Sequence, residues 1–247
     1  MSALPASRVE VHESADELAR TVAGAFLRFV TVHQAAGEVP QVVLTGGTIA
    51  DKIHAEIARL GADSDVDWSR IDFFWGDERF VAADSDDRNA RQTRAAMLDT
   101  LPVDPARIHE IPSTDDAGDV DGAATAYADT VRSIGGGRFD LVMLGVGPDG
   151  HIASLFPGFP QLDVDDAIAL GVTGSPKPPP ERVTLTFPAL ARSEEVWFVV
   201  SGADKAEAVA RALASQPPDV HEIPAIGVRG QVETIWFLDR DAASQVS

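Results

Sequence analysis

The sequence contains no cysteine in its 247 residues. This absence excludes disulfide bonds, thiol nucleophiles and cysteine-ligated zinc or iron–sulfur centres. The sequence also lacks any apolar run close to the roughly 20 residues of a membrane span, and its first residues show no signal-peptide pattern. We therefore expect a cytoplasmic protein without a membrane partner.

Basic residues are scarce as well, because 20 lysines and arginines stand against 39 aspartates and glutamates. The resulting formal net charge of −19 repels phosphate backbones and anionic surfaces. We therefore expect no nucleic-acid partner. Only three of the basic residues are lysines, namely Lys52, Lys177 and Lys205.

The sequence does contain the apolar material for a large core, with 45% hydrophobic residues. A chain of this length fits one core, so we predict a single domain over residues 1–247. Apolar residues at helical spacing predict helices at 14–37, 49–61, 89–98, 123–134 and 204–213. Continuous apolar runs predict strands at 41–44, 71–75, 139–144, 183–187, 196–200 and 234–238. This alternation predicts an α/β fold with a mainly parallel sheet covered by helices on both faces.

The segment Thr45-Gly46-Gly47-Thr48 lies where a predicted strand ends and a predicted helix begins. This position directs free backbone N–H groups and the positive end of the helix dipole toward one point. The two glycines allow a ligand to approach the backbone, and the two hydroxyls add donors. A phosphate fits such a site, although a glycine pair can equally be a plain turn between a strand and a helix.

Residues 145–150 read Gly-Val-Gly-Pro-Asp-Gly and match the G-x-G-x-x-G pattern of dinucleotide-binding folds. The match is misleading, because the helix that should follow meets Pro157 and Gly158 after about one turn. We therefore expect no nicotinamide cofactor.

His151 is the leading catalytic candidate, because it ends this loop at the carboxyl edge of a predicted central strand. Open α/β sheets bind their ligands at that edge, and imidazole transfers protons near neutral pH. The segment Asp77-Glu78-Arg79 follows the next predicted strand end, where a surface salt-bridge cluster is the competing interpretation. The other histidines show no i, i+4 pairing, and the acidic loops lack a calcium-binding pattern, so we expect no metal.

Seven segments, which contain these candidate residues and are spread over most of the chain, match the motifs of one known family. The most specific is residues 149–158, Asp-Gly-His-Ile-Ala-Ser-Leu-Phe-Pro-Gly. The other six are residues 44–48, 75–79, 139–145, 176–180, 182–186 and 202–205. Together they resemble the 6-phosphogluconolactonase family. The resemblance implies a single-domain, Rossmann-like three-layer α/β sandwich that needs no cofactor.

The resemblance also implies an activity, the hydrolysis of 6-phospho-D-glucono-1,5-lactone to 6-phospho-D-gluconate in the oxidative pentose phosphate pathway. His151 would be the general base that activates water, with Asp77 or Asp149 orienting its imidazole. Arg79 and the N–H groups of residues 145–150 would stabilise the tetrahedral oxyanion. The phosphate-binding groups would be Thr45, Gly46, Gly47, Thr48, Arg182 and Lys205.

Two other functions remain open at this stage. A glucosamine-6-phosphate deaminase or isomerase shares the fold and the glycine turn, but its D-G-H loop typically continues with a carboxylate, whereas Ala153 and Ser154 follow here. A non-catalytic sugar-phosphate sensor would keep the turn without needing His151 or Arg79. The turn itself departs from the usual Ser-Gly-Gly-Ser-Thr-Pro of the family, because it reads Thr-Gly-Gly-Thr-Ile. The sequence leaves the oligomeric state open, with a monomer expected.

Overall fold

A computed structural model describes residues 7–246, which contain nine strands and six α-helices. The strands are β1 (Arg8–His12), β2 (Gln41–Leu44), β3 (Asp72–Trp75), β4 (Asp77–Arg79), β5 (Phe139–Leu144), β6 (Ala169–Val172), β7 (Arg182–Leu185), β8 (Ser193–Val200) and β9 (Glu233–Asp239). The α-helices are α1 (Ala15–Ala35), α2 (Thr48–Gly61), α3 (Asn89–Ala96), α4 (Val120–Gly135), α5 (Phe187–Leu190) and α6 (Ala206–Ala212). None of the helices described in residues 7–246 is long and apolar enough to cross a lipid bilayer.

Six strands form one sheet in the order β1-β9-β8-β5-β2-β3, and every neighbouring pair in it is parallel. A second sheet of three antiparallel strands has the order β4-β7-β6. The predicted α/β fold with a mainly parallel sheet is therefore confirmed. Helix α1 packs on α2 and against β1 and β9, whereas α4 packs against β6 and β7.

Strands β2, β3 and β5 of the large sheet are mostly apolar because both of their faces are covered. Strand β3, with the sequence Asp-Phe-Phe-Trp, is buried at every position, and β2 and β5 are buried except at one position each. The first helix begins at the predicted position, since the Ser14 hydroxyl accepts a hydrogen bond from the Glu17 N–H at 3.3 Å. This cap satisfies one of the free N–H groups at the helix start.

Four strands differ from the sequence-based expectation. The predicted strand 183–187 lies at Arg182–Leu185 and belongs to the antiparallel sheet, not to the parallel one. Residues 77–79, expected to be loop, form strand β4 because they pair with β7 despite their three charged side chains. Strands β1 and β6 were not predicted, since β1 is an exposed edge strand and β6 carries a glycine.

The order of the parallel strands reverses between β2 and β5. From β2 the chain proceeds to β3 on one side, and from β5 it proceeds through β8 to β9 on the other. Such a reversal opens a crevice beyond the carboxyl ends of the two strands. The glycine turn that follows Leu44 and the loop that follows Leu144 both begin at this crevice.

Candidate active site

A cavity of about 560 Å³ opens at this edge of the sheet. Nine of the ten residues predicted from the sequence line it, and the tenth, Asp149, contacts the lining residue His151. The structure therefore brings the predicted residues together around one cavity. It did not assign several polar residues that also line the cavity: Lys52, Asn89, Lys177, Ser201 and Asp204.

The glycine turn joins the end of β2 to the start of α2. Gly47 precedes the first residue of the helix with a φ of 104°, a conformation that side-chain-bearing residues rarely adopt. Within residues 7–246, the N–H groups of Gly46, Gly47 and Thr48 donate to no protein acceptor. The turn therefore presents unpaired donors at the positive end of a 14-residue helix, which is a favourable place for an anion.

Thr45 connects this turn to the loop that follows β5. Its hydroxyl oxygen accepts a hydrogen bond from the Gly145 N–H at 3.3 Å. The two loops on either side of the sheet reversal are therefore connected directly. Thr45 is buried, so this contact lies at the floor of the cavity.

His151 is held by Asp149, because its Nδ1 hydrogen-bonds to Asp149 Oδ1. Burial alone would raise the pKa of Asp149, but the hydrogen bond and charge of His151 outweigh it and lower that pKa to about 2. Asp149 is therefore ionised at neutral pH. The imidazole also lies 4.7 Å from the Phe156 ring, centroid to centroid, and it leaves no room for a side chain at Gly147.

Asp77 was one of two candidates for orienting the His151 imidazole, but its partners in the structure are other residues. Its Oδ2 accepts a hydrogen bond from the Ser154 hydroxyl at 2.6 Å and lies 3.8 Å from Nη1 of Arg182. The structure thus brings Asp149, and not Asp77, into contact with His151. Asp77 instead connects β4 to the loop that carries His151 and to β7.

Arg79 extends from β4 into the cavity, where its Nη1 donates to the main-chain oxygen of Asp87 at 2.5 Å. Its Nε is buried and has no acceptor among the described residues. The backbone beneath it is fixed by Glu78, whose Oε1 accepts from the Arg79 N–H at 2.8 Å. Burial raises the pKa of Glu78, although Arg88 and these backbone hydrogen bonds oppose the shift.

Arg182 lines the cavity, but its guanidinium is largely engaged by the protein. It donates to the main-chain oxygens of Lys177, Pro178 and Pro179 at 3.1 to 3.3 Å. Its side chain is almost completely buried, and this burial lowers its pKa. Arg182 therefore fixes the proline-rich loop of residues 175–180 in position beside the cavity.

The three lysines of the chain all line this cavity. Lys52 is paired with Asp16 at 2.5 Å, and Lys205 is paired with Asp204 at 2.7 Å. Lys177 makes no side-chain hydrogen bond or ion pair to any residue in the described part of the chain. Burial, together with the positive charges of Lys205 and Arg182, lowers the pKa of Lys177. The sequence left both Lys52 and Lys177 unassigned, although the scarcity of lysine in the chain was a usable signal.

The loop N–H groups expected to bind an oxyanion are mostly occupied. Gly145 donates to Thr45, Gly147 donates to the main-chain oxygen of His151, and Gly150 donates to that of Gly147. The Val146 N–H has no acceptor in residues 7–246, and Val146 lines the cavity. The Asp149 N–H also has no acceptor in another described residue, but Asp149 does not line the cavity. The expected oxyanion donors therefore narrow from the whole loop to the Val146 N–H.

Residues 7–246 contain no group of three or more histidine, aspartate or glutamate side chains placed to hold a metal ion. The cavity lining instead includes cations, hydroxyls, backbone N–H groups, the carboxylates Asp77 and Asp204, and His151, which is paired with Asp149. Cations and free N–H groups suit a small anion, and a paired imidazole suits proton transfer. These features are typical of an α/β enzyme that acts on a small anionic molecule.

Comparisons with known proteins agree with that class. The sequence model of the glucosamine-6-phosphate isomerase/6-phosphogluconolactonase family matches residues 13–236. A 6-phosphogluconolactonase of Streptomyces coelicolor is 40% identical over 245 residues, which cover 96% of this chain and 93% of that protein. A 6-phosphogluconolactonase of Mycobacterium leprae is 42% identical over 219 residues, covering 86% and 87%. The chain belongs to the glucosamine-6-phosphate isomerase/6-phosphogluconolactonase family.

Solved structures show the same fold. The 6-phosphogluconolactonase of Thermotoga maritima superposes with a TM-score of 0.83 at 28% identity, covering 95% of this chain and all of that one. A monomeric glucosamine-6-phosphate deaminase also superposes with a TM-score of 0.83, at 20% identity, covering 96% and 99%. The fold is therefore shared by a 6-phosphogluconolactonase and a glucosamine-6-phosphate deaminase. The fold alone does not distinguish these two activities, so the residues of the site have to be considered.

Proposed function

We propose that this chain hydrolyses 6-phospho-D-glucono-1,5-lactone to 6-phospho-D-gluconate. The relatives with about 40% identity bear the name of this activity. The observation that carries the proposal is that one cavity contains both anion-binding groups and a group able to transfer a proton. The glycine turn, Lys177 and Lys205 are the anion-binding groups, and His151, held by Asp149, is the proton-transfer group.

His151 acts as the general base in this proposal. Its Nδ1 is engaged by Asp149, so Nε2 accepts the proton of a water molecule that attacks the lactone carbonyl. The new carbon–oxygen bond forms a tetrahedral intermediate with a negatively charged oxygen. As the ring carbon–oxygen bond breaks, His151 returns the proton to the departing ring oxygen, which becomes a hydroxyl. Asp149, ionised at neutral pH, orients the imidazole and stabilises its charged form.

Arg79 stabilises the negative oxygen of the intermediate. The position of Arg79 in the cavity supports this assignment, and the Val146 N–H is available as a second donor. Donors that are already fixed cost no reorganisation when the charge develops. Asp77, which was predicted among the catalytic residues, supports this arrangement by holding Ser154 near Arg182.

The phosphate group binds in the same cavity, at the glycine turn and the nearby lysines. We assign it to Thr45, to the N–H groups of Gly46, Gly47 and Thr48, and to Lys205. Lys177 joins this set because its ammonium group has no other acceptor among the described residues. Arg182 contributes positive charge and fixes the main chain at Lys177. Concentrating these cations lets a strongly acidic protein bind an anion.

The same proposal extends to the wider properties of the protein. A single domain over residues 1–247, a monomeric state and the absence of nucleic-acid partners and cofactors fit an enzyme with one small anionic substrate. A cytoplasmic location fits as well, because a sugar phosphate is charged and does not cross membranes freely. Length, composition and charge support the single domain and the absence of nucleic-acid partners, and the resemblance to the family implies that no cofactor is needed.

Glucosamine-6-phosphate deamination or isomerisation is the alternative enzyme activity. The feature against it is the chain after His151, where Ala153 and Ser154 stand and the Ser154 hydroxyl is bound to Asp77. The test is to supply freshly prepared 6-phosphogluconolactone and, separately, glucosamine 6-phosphate to the purified protein. We expect acid release from the lactone well above its spontaneous rate and no ammonia release. Ammonia release without lactone hydrolysis would overturn the proposal.

A further inference from the structure

Asn89 is the first residue of α3 and lines the cavity. It contacts both the glycine turn, which is proposed to bind the phosphate, and strand β4, which carries Arg79. Its Nδ2 donates to the main-chain oxygen of Asp77 in β4 at 3.0 Å. Its Oδ1 lies against Gly46, where an added Cβ would fall 2.0 Å from that oxygen. One side chain is therefore in contact with both the glycine turn and the strand that carries Arg79.

The position of Asn89 is fixed by hydrogen bonds of its backbone and of the next residue, in addition to that of its side chain. Its own N–H donates to Glu78 Oε1 at 2.8 Å, and the N–H of Ala90 donates to Glu78 Oε2 at 2.8 Å. The side chain is only 3% exposed, and its Oδ1 has no hydrogen-bond partner within the described residues. A buried acceptor without a partner is unfavourable, so the position of the Asn89 Oδ1 is not explained by a hydrogen bond. It is explained by the close packing of this oxygen against Gly46 in the turn.

We propose that Asn89 is a positioning residue that sets the spacing between the glycine turn and Arg79. The inference rests on the proposed function, in which the turn binds the phosphate and Arg79 stabilises the reacting carbonyl. A substrate held at both ends transmits any displacement of the turn to its carbonyl group. A displacement of about 1 Å can cost on the order of 100-fold in rate.

The two glycines of the turn provide a matched pair of variants. Gly46→Ala places a methyl group against the Asn89 amide, and the φ of Gly46 lies outside the left-handed region. Gly47→Ala meets no atom within 4 Å, but its φ of 104° is strained for alanine. The first substitution therefore acts through Asn89, whereas the second acts through the backbone alone.

The experiment is a pair of double-mutant cycles that combine Asn89→Ala with each glycine substitution. kcat/KM is measured with the phosphorylated lactone and with unphosphorylated gluconolactone, and binding of inorganic phosphate and thermal unfolding are followed in parallel. We expect Asn89→Ala and Gly46→Ala each to lower kcat/KM for the phosphorylated lactone by about 10- to 100-fold. The Gly46→Ala/Asn89→Ala variant should fall no further than the worse single variant. The losses of Gly47→Ala and Asn89→Ala should instead multiply.

Three results would overturn the inference: multiplied losses for Gly46 and Asn89, an unchanged kcat/KM in Asn89→Ala, or equal losses on both lactones that track lowered thermal stability. Failure of the wild-type protein to hydrolyse the lactone would overturn the proposed function. The affinity of the variants for inorganic phosphate still decides the inference in that case. Coupling between Gly46 and Asn89 in that affinity supports it, and additivity contradicts it.

Discussion

The guanidinium of Arg182 donates a hydrogen bond, at 3.2 Å, to the main-chain oxygen of Lys177, the lysine whose own side chain has no acceptor in the described residues. One cation is thus used to place another. Together with the bonds to the carbonyls of Pro178 and Pro179, this contact fixes a loop that has little regular secondary structure of its own. Lys177 can face the cavity because Arg182 is buried beneath the loop.

Arg182→Lys tests this relationship, because lysine keeps the charge but cannot reproduce the planar fork that reaches three carbonyl oxygens. We expect kcat/KM for the phosphorylated lactone to fall about 10-fold or more, and stability to fall by about 1–3 kcal/mol because buried acceptors lose partners. Steady-state kinetics and denaturant unfolding measure the two effects. A fully active and fully stable Arg182→Lys protein would mean that only the charge matters.

Lys177→Ala and Lys205→Ala should each raise KM for the phosphorylated lactone. A charge-assisted hydrogen bond to an anion contributes about 1.5–3 kcal/mol, so kcat/KM should fall about 10- to 150-fold. Hydrolysis of unphosphorylated gluconolactone should be nearly unaffected. Lys52→Ala is the matched control, since Lys52 lines the same cavity but is not assigned to the phosphate. Equal losses on both lactones would place these lysines at the reacting carbon or in the fold.

His54 should make the fold sensitive to acid. Its side chain is completely buried in α2, neither ring nitrogen has a partner among the described residues, and burial lowers its pKa to about 4. In the unfolded chain His54 takes up a proton as the pH falls below about 6.5, whereas folded His54 stays neutral down to about pH 4. Acidification between these two values therefore favours the unfolded chain and lowers the free energy of unfolding. The loss amounts to about 3 kcal/mol.

The measurement is the free energy of unfolding between pH 4 and 7 for the wild type and for His54→Leu. The variant should lose less stability on acidification. His221→Gln, which changes an exposed histidine, should behave like the wild type. Identical pH profiles for His54→Leu and the wild type would show that His54 is not protonated differently in the two states.

Chelation should leave the activity intact. The chain has no cysteine, and residues 7–246 bring together no metal-binding cluster of histidines and carboxylates. Exhaustive dialysis against EDTA followed by a lactone assay with matched spontaneous blanks measures the effect. Activity lost on chelation and restored by one specific metal would contradict the mechanism.

The parts of the site that follow from local sequence were predictable. The glycine turn sits between an apolar run and a helical pattern, and His151 ends a glycine-rich loop at a strand end, so both could be placed without knowledge of the fold. The parallel sheet was predictable for the same reason, since strands buried on both faces are apolar throughout.

The remainder depends on contacts between distant segments. Strand β4 has three charged residues and is buried only by its pairing with β7, so its sequence alone does not indicate a strand. Asp77 and Asp149 both follow strand ends, and only the folded loop shows which of them reaches His151. Lys177 needed the buried Arg182 to bring it to the cavity, which no local pattern reveals.

The most direct test of the account compares lactone hydrolysis by the wild type and by His151→Ala, after subtraction of the spontaneous rate. A positioned acid–base group contributes about 10²- to 10⁴-fold, so kcat should fall by that factor with inorganic-phosphate binding unchanged. Such a result would assign proton transfer to His151 and leave anion binding with the glycine turn and the lysines. A His151→Ala protein that retains a kcat near the wild-type value would contradict the central claim.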